Sequence, residues 1–168
     1  MKQEGVELRR EVYRQDVEKM ADWMADREVT EYLNEDQNID GELKNLLSSS
    51  QLPIYSPHFN RNGSFFLVTL PSRGPIGFVR LVPKREQAEV VVVIGERRCW
   101  SQGYGRQAIF QAARYAFFEW RKERVVATIH RENQRSKKVF KKAGFRKAER
   151  LATETRYTLP VEKFHSVK

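Results

Sequence analysis

Residues 90–109 read V-V-V-V-I-G-E-R-R-C-W-S-Q-G-Y-G-R-Q-A-I, and this stretch decides the fold. An apolar run is followed by a turn, a glycine loop and the first residues of a helical pattern. Gly103 and Gly105 lack a Cβ, so the backbone N–H groups of the loop can approach an anion closely. Because the N-terminus of the following helix carries a positive partial charge, this order of elements predicts a site for phosphate groups.

The glycine loop has two other interpretations. Two glycines alone are a weak signal, since they also occur where a turn simply starts a helix. Together with Ala108, Gly103 and Gly105 satisfy the dinucleotide pattern G-x-G-x-x-A of a Rossmann domain. The Rossmann interpretation is disfavoured because the loop lies past the midpoint of the chain and follows a predicted antiparallel hairpin. Too few residues remain after the loop to complete a doubly wound sheet.

The residues before the loop predict an antiparallel hairpin and a buried central strand. Ser64–Leu70 and residues 76–82 are apolar runs separated by a segment that begins and ends with proline. Residues 88–94 are almost continuously apolar, which is typical of a strand covered on both faces. The remaining predictions are strands at 6–9, 124–129 and 155–159, helices at 16–25, 41–49 with Asp40 as N-cap, 106–120 and 134–143 ending at Gly144, and an irregular loop at 53–63.

Composition predicts one domain spanning residues 1–168. Hydrophobic residues make up 40% and charged residues 32% of the 168 residues, and no repeat or Gly/Ser-rich linker divides them. The net charge of +9 attracts polyanions, so a basic nucleic-acid-binding domain is one alternative. It is disfavoured because most aromatic residues fall at periodic positions typical of a core.

Cysteine usage and hydropathy bear on the compartment. Cys99 is the single cysteine, which excludes an internal disulfide and a multi-thiolate zinc site and suits a reducing compartment. No stretch approaches the ~20 apolar residues that cross a bilayer, so the cytoplasm is the expected location and no membrane partner is expected. His58, His130 and His165 are not placed beside Cys99 by the sequence. We therefore predict neither a hydrolase triad nor a metal site and interpret Cys99 as structural.

Two segments together resemble the GCN5-related N-acetyltransferase (GNAT) superfamily. They are W-S-Q-G-Y-G-R-Q-A-I at residues 100–109 and N-Q-R-S-K-K-V-F-K-K-A-G-F at residues 133–145. The resemblance covers nearly the whole chain in element order and is closest to the branch of ribosomal-protein N-terminal and small-amine acetyltransferases. It implies an α/β (α+β) fold with a mixed, mostly antiparallel twisted sheet, a splayed centre and helices on both faces.

The resemblance also implies the reaction. The cosubstrate would be acetyl-CoA, without a metal, and a primary amine would attack the thioester directly in a ternary complex. Peptide N-termini, polyamines, aminoglycosides and amino sugars all stay open as acceptors. The enzyme is expected as a monomer or a homodimer.

The resemblance further assigns the cofactor site. The family's glycine loop binds the CoA pyrophosphate through backbone amides, and Trp100 stands in the usual place of a Gln or Arg. Backbone groups of residues 92–94 are expected to pair with the pantetheine arm as an added strand would. Asn133 is expected to contact the same arm, although it also suits a helix N-cap. The predicted cofactor residues are Val92, Val93, Ile94, Ser101, Gln102, Gly103, Tyr104, Gly105, Arg106, Asn133 and Ser136.

Catalysis requires a proton acceptor, because an alkyl amine with a pKa near ~10.4 is protonated at neutral pH. Glu89 matches a glutamate often found at the start of this strand in the resembling branch, so it is predicted as the general base, with Glu96 as substitute. Phe140 stands where many relatives have a tyrosine that protonates the departing thiolate. That proton would then come from water, from the amine or from a side chain such as Tyr104 or Tyr157. The phenylalanine also keeps open a noncatalytic CoA-binding domain.

The acceptor pocket is expected between the first two helices and the 53–63 loop. The stretch E-V-T-E-Y-L-N-E-D at residues 28–36 is rich in acids, which would attract a cationic amine. An exposed helix end is the simpler explanation of the same residues. The acids in question are Glu28, Glu31, Glu35 and Asp36.

Overall fold

A computed structural model of the chain describes residues 4–33 and 39–164, with the backbone alone at 39 and 40. The sheet has seven strands in the order β1-β2-β3-β4-β5-β7-β6. Their bounds are β1 Glu7–Arg9, β2 Ser64–Leu70, β3 Gly74–Lys84, β4 Gln87–Ile94, β5 Arg124–His130, β6 Arg146–Arg150 and β7 Glu154–Pro160. The helices are α1 Arg14–Ala25, α2 Arg27–Thr30, α3 Ile39–Ser49, α4 Ser56–Phe59, α5 Tyr104–Phe118, α6 Gln134–Lys142 and α7 Val161–Phe164.

The centre of the sheet is splayed. All neighbouring strands are antiparallel except β4 and β5, which run parallel. This parallel pair is registered only at Gln87↔Arg124, Ala88↔Val125 and Glu89↔Val126. Beyond Glu89, the last five residues of β4, 90–94, have no paired neighbour on that side among the described strands. A gap therefore opens between the two halves of the sheet.

The backbone of β4 alternates between β3 and the gap. The N–H of Gly95 donates to the carbonyl of Ile76 on the β3 side, at 2.8 Å. Since successive residues of an antiparallel strand direct their backbone groups to opposite sides, Val93 faces β3 whereas Val92 and Ile94 face the gap. Two residues at the open end of β4 thus present backbone groups to the space that β5 leaves.

Helices cover both faces of the sheet. On one face, α5 buries Ala108, Ala112 and Ala116, whose small side chains let the helix approach the strands closely. On the other face, Val17 and Met20 of α1 lie in a second core cluster together with side chains of β2, β3 and α3. These two layers confirm the predicted fold class. In the described residues no helix has the length and apolar character needed to span a bilayer.

Gly77 permits a close approach of β3 to β4 at the open end of the gap. A Cβ added to this glycine would lie 2.0 Å from the carbonyl oxygen of Val93. Any side chain there would push the two strands apart, so the position of β4 beside the gap depends on this glycine.

Several predicted elements differ in their bounds. β2 has the predicted bounds, whereas α5 begins at Tyr104 rather than Arg106 because the left-handed Gly103 precedes it directly. Asp40 lies within α3, so its prediction as an N-cap is wrong. The 53–63 segment contains the short helix α4, and β6 was not predicted because all of its residues are exposed and four are charged.

Candidate active site

A cavity of about 710 Å³ lies between the end of β4 and α6, the helix that follows β5. One wall is formed by the end of β4 and the glycine loop, and the facing wall is formed by α6. Residues of α2 and the residues that follow α2 also line the cavity. The predicted cofactor residues that line this cavity are Val92, Val93, Ile94, Ser101, Gly103, Tyr104, Gly105, Arg106, Asn133 and Ser136.

The glycine loop has the backbone geometry of an anion site. Ser101 and Gly103 both adopt left-handed conformations, with φ values of 61° and 87°. Gly103 is the N-cap of the 15-residue helix α5 and makes no side-chain capping hydrogen bond. The first N–H groups of α5 therefore lack the intrahelical partners that later residues have, and they border the cavity.

At Gly105, the absence of a side chain leaves space beside the glycine loop. A Cβ built at this position would lie 3.6 Å from Cγ1 of Val139 and 3.9 Å from Cγ1 of Ile94. Both neighbours line the cavity, so the Cβ would project into it. The uncapped helix end and this cradle fit a pyrophosphate, and Arg106, Lys138 and Lys142 add positive charge to the lining.

Gln102 is the predicted cofactor residue that does not line the cavity. Its side-chain Nε2 donates to the carbonyl of Arg98 at 2.7 Å, which holds the loop against the preceding 3₁₀ turn Arg97–Cys99. The side chain therefore supports the loop, and only its backbone remains as a predicted cofactor contact.

Asn133 caps α6. Its side-chain oxygen accepts a hydrogen bond from the backbone N–H of Ser136 at 3.2 Å. Asn133 therefore has the N-cap role that the sequence analysis gave as an alternative to a cofactor contact. The amide nitrogen of Asn133 has two further hydrogens to donate, and the residue borders the cavity, so a contact with the cofactor is compatible with the cap.

Glu89 stands where the two strands part. It belongs to the last β4–β5 pair, and its carboxylate lies 3.2 Å from the ammonium group of Lys84. The Glu89 side chain is not among those that line the cavity, so a proton would have to reach it through water. The substitute, Glu96, accepts a hydrogen bond from Nε1 of Trp23 at 3.0 Å and lies outside the cavity lining.

Beside α2, the cavity lining includes an aromatic residue that the sequence analysis did not single out. Tyr32 lines the cavity beside Glu28, and its ring packs on His130 with 5.1 Å between ring centres. Burial raises the pKa of Tyr32, and the negative charge of Glu31 adds to this effect. The sequence feature that could have identified Tyr32 is its position inside the acidic stretch 28–36. Of the predicted acids, Glu35 and Asp36 lie outside the described residues.

Tyr104 and Tyr157, the two side chains predicted as possible proton donors, occupy different environments. Tyr104 is buried and lines the cavity, as does Phe140, whose ring packs edge-on against Phe145. Tyr157 is fully buried on β7 and is not part of the cavity lining. Burial raises the pKa of its hydroxyl, which has no hydrogen-bond partner among the described residues.

Cys99 is buried beside the loop and forms part of the cavity wall. Nη1 of Arg73 lies 3.6 Å from its sulfur. Of the histidines, His58 lies on α4 and His130 contacts Tyr32, while His165 is outside the described residues. Within residues 4–33 and 39–164, no group of three His, Cys, Asp or Glu side chains is arranged to hold a metal ion.

A second cavity of about 370 Å³ lies under α1 and α3. His58 and Phe59 of α4, together with Asn62 and Gly63, line it. The 53–63 segment therefore borders this second cavity and not the first one, whose lining includes Glu28 and Val29 of α2.

The sheet opens beside a glycine loop and a cavity lies in the opening, which is the layout that the resemblance predicted. The family model described as the acetyltransferase (GNAT) domain matches residues 7–146. The chain therefore belongs to the GNAT acetyltransferase family, as the two sequence segments predicted.

Solved structures share the fold at low sequence identity. A spermidine N-acetyltransferase from Vibrio cholerae, in complex with CoA and spermine, is 19% identical, with a TM-score of 0.78 over 95% of this chain and 98% of that chain. A GNAT-family acetyltransferase from Bacillus anthracis is 20% identical, with a TM-score of 0.76 over 96% and 98%. An acetyltransferase from Thermus thermophilus is 20% identical, with a TM-score of 0.68 over 94% and 97%. No curated protein sequence matches the chain.

Proposed function

We propose that the protein is an acetyl-CoA-dependent N-acetyltransferase that transfers the acetyl group to a primary amine by direct attack in a ternary complex. The observation that carries this proposal is the cavity between the end of β4 and α6. It joins an uncapped helix end at the glycine loop to strand residues whose backbone groups face the gap. An extended thioester cofactor needs both features, one for its pyrophosphate and one for its amide-containing arm.

The residues of the gap have distinct tasks in this proposal. The amides of the loop and of α5 bind the pyrophosphate, with charge from Arg106. Val92 and Ile94 offer backbone groups to the arm, and an N–H from this strand stabilises the negative charge that develops on the carbonyl oxygen during attack. When bound, acetyl-CoA supplies the activated acetyl group. Holding it beside the amine accounts for much of the rate increase.

Glu89 is the proposed general base, acting through water. Glu89 lies at the closed end of the gap, outside the cavity lining, so this role requires a chain of water molecules between its carboxylate and the amine. Phe140 supplies no proton, so the proton for the thiolate comes from water or from a cavity-lining hydroxyl. Tyr32 and Tyr104 are the tyrosines on the described lining.

We propose a cationic amine as the acceptor, with polyamines as the first class to test. Glu28 borders the acceptor side of the cavity, and Glu31 lies on the same segment beside Tyr32. Carboxylates and an aromatic face attract an ammonium group before it loses its proton. The similarity in fold to a spermidine N-acetyltransferase supports the small-amine half of the predicted branch. Its ribosomal-protein half stays a prediction from the sequence.

The biological setting is likewise a proposal. The continuous seven-stranded sheet supports one domain over residues 1–168. The single cysteine supports a reducing compartment such as the cytoplasm, and a monomer or homodimer is the expected state.

The test is in two stages. Calorimetry with acetyl-CoA should give binding in the micromolar range, and a thermal scan should show stabilisation by the ligand. A thiol-release assay with spermidine, an aminoglycoside, an amino sugar and a short peptide should then show turnover with at least one amine. Absence of binding by the folded protein contradicts the proposal. Tight binding without turnover across the panel would favour the noncatalytic CoA-binding domain.

A further inference from the structure

A cation–π contact crosses the gap between the two halves of the sheet. Arg135 is the second residue of α6, the helix that follows β5, whereas Trp100 follows β4 and directly precedes the glycine loop. The guanidinium carbon of Arg135 lies 3.4 Å from the centre of the Trp100 ring. This stacking distance joins the β4 side of the gap to the β5 side.

Both partners are held in place. Nε1 of Trp100 donates to the carbonyl oxygen of Ile94 at 2.8 Å, so the ring is anchored to the last residue of β4. Arg135 lies in the first turn of α6, which Asn133 caps. Burial lowers the pKa of Arg135, while the charges of Glu31 and Glu28 oppose this effect. An arginine guanidinium remains protonated in proteins at neutral pH.

The contact forms a wall of the cavity without filling it. Arg135 and Trp100 both line the cavity, which has a volume of about 710 Å³ with the two side chains in contact. Val92 and Ile94, whose backbone groups face the gap, line the same cavity. An arm extended along β4 would therefore run beside the stacked pair.

We propose that Arg135 and Trp100 form a clasp across the gap that holds the cofactor arm against β4. This inference rests on the proposed function, because it needs acetyl-CoA in this cavity. In it, Arg135 is a positioning residue that does not react. The clasp also explains Trp100, since a ring in the place of the usual Gln or Arg of the motif provides the surface on which Arg135 stacks.

The planar guanidinium distinguishes this role from a simple charge. A lysine at 135 would keep the positive charge but would lose the flat face that stacks on the indole. If the clasp retains the cofactor, Arg135→Lys and Arg135→Ala should both speed the release of acetyl-CoA. A cation–π contact in a partly desolvated site corresponds to a change of about tenfold.

The experiment measures acetyl-CoA dissociation by stopped flow and steady-state kinetics with the best amine. For Arg135→Lys, we expect dissociation and the KM for acetyl-CoA to rise about tenfold, with kcat at saturation unchanged. Trp100→Leu should give a similar rise, and the double variant Arg135→Lys with Trp100→Leu should be no worse than either single variant. Arg114→Lys is the matched control, because Arg114 is an exposed arginine of α5 outside the cavity lining.

Three patterns of variant kinetics would overturn the clasp, in addition to the two binding results given below. In the first, acetyl-CoA dissociates from Arg135→Lys at the wild-type rate although it leaves Arg135→Ala quickly. In the second, the effects of the substitutions at 135 and 100 on acetyl-CoA dissociation add in the double variant. In the third, kcat falls while the KM for acetyl-CoA does not change. If Trp100→Leu does not fold, Trp100→Phe keeps a stacking ring and should retain more of the wild-type residence time than Arg135→Ala. A wild-type protein that binds no acetyl-CoA would refute the proposed function and the clasp with it. Binding by wild type with unchanged variants would refute the clasp alone.

Discussion

Replacing Gly105 with alanine adds one methyl group inside the cavity. Gly105 is the second residue of α5, and its φ is not among the left-handed values of the chain. The new Cβ would make only ordinary contacts, at 3.6 Å to Val139 and 3.9 Å to Ile94. The protein should therefore still fold with alanine at this position, whereas its binding of the pyrophosphate should become weaker.

The two effects have opposite signs. Alanine is preferred over glycine within a helix by up to about 1 kcal/mol, so the cofactor-free protein should become slightly more stable. The methyl group would displace the pyrophosphate from at least one backbone N–H, and such a charged hydrogen bond contributes about 1.5–3 kcal/mol. The affinity for acetyl-CoA should then fall by about 10- to 150-fold. Gly105→Val, with a larger side chain, should abolish binding.

Calorimetry gives the affinity, and thermal scans with and without acetyl-CoA give both stabilities. Gly74→Ala is the control, because Gly74 has a left-handed φ of 78°, has open space around its Cβ and is the first residue of β3, directly after the turn that follows β2. It should lower stability without altering affinity. Gly103→Ala, with a φ of 87° and the same open space, should lower stability similarly. A folded Gly105→Val protein with wild-type affinity would refute the placement of the pyrophosphate.

Three further substitutions test the base, the gap and a buried hydroxyl. Glu89→Gln should slow thiol release by about 10²–10⁴-fold with an unchanged acetyl-CoA dissociation constant, and unchanged turnover would exclude Glu89 as the base. Gly77→Ala should lower the free energy of unfolding in urea by about 1–3 kcal/mol because of its clash with the Val93 carbonyl, and wild-type stability would contradict the close approach. Tyr157→Phe should raise stability by about 1 kcal/mol, since it removes a buried hydroxyl without a partner among the described residues. Because burial raises the pKa of Tyr157, the folded state binds the phenolic proton more tightly, and wild-type stability should fall as pH rises above about 10, more steeply than that of the phenylalanine variant.

The layout of the sheet was predictable where residues follow their local pattern. Ser64–Leu70 is an apolar run bounded by turn residues, and the continuous apolar run of β4 indicated a central strand. Arg146–Arg150 was not predictable in the same way. This edge strand is held by backbone pairing with β7 and has no buried face to produce an alternating pattern.

The parts of the candidate site that belong to a local sequence motif were predictable, whereas the contacts between distant segments were not. The glycine loop and Asn133 each have a local motif, and both border the cavity. Tyr32 lies in no motif, and the motif at residues 133–145 assigned no role to Arg135. Both side chains reach the site through the packing of α6 and of the residues around α2 beside the gap. The contact of Arg135 with Trp100 depends on where two distant segments meet, which spacing alone does not encode.

The short seam between β4 and β5 also has a consequence for amide exchange. Three residue pairs join the two halves of the sheet, so deuterium should enter at this seam sooner than in β3, which is paired along both edges. The amides of Val92 and Ile94 face the gap and should exchange rapidly in the free protein. A cofactor arm paired with them should slow that exchange at these two positions while leaving Val93, already bonded to β3, nearly unchanged. Residue-resolved amide exchange of the free protein should therefore show a protected amide at Val93 between two rapidly exchanging amides at Val92 and Ile94.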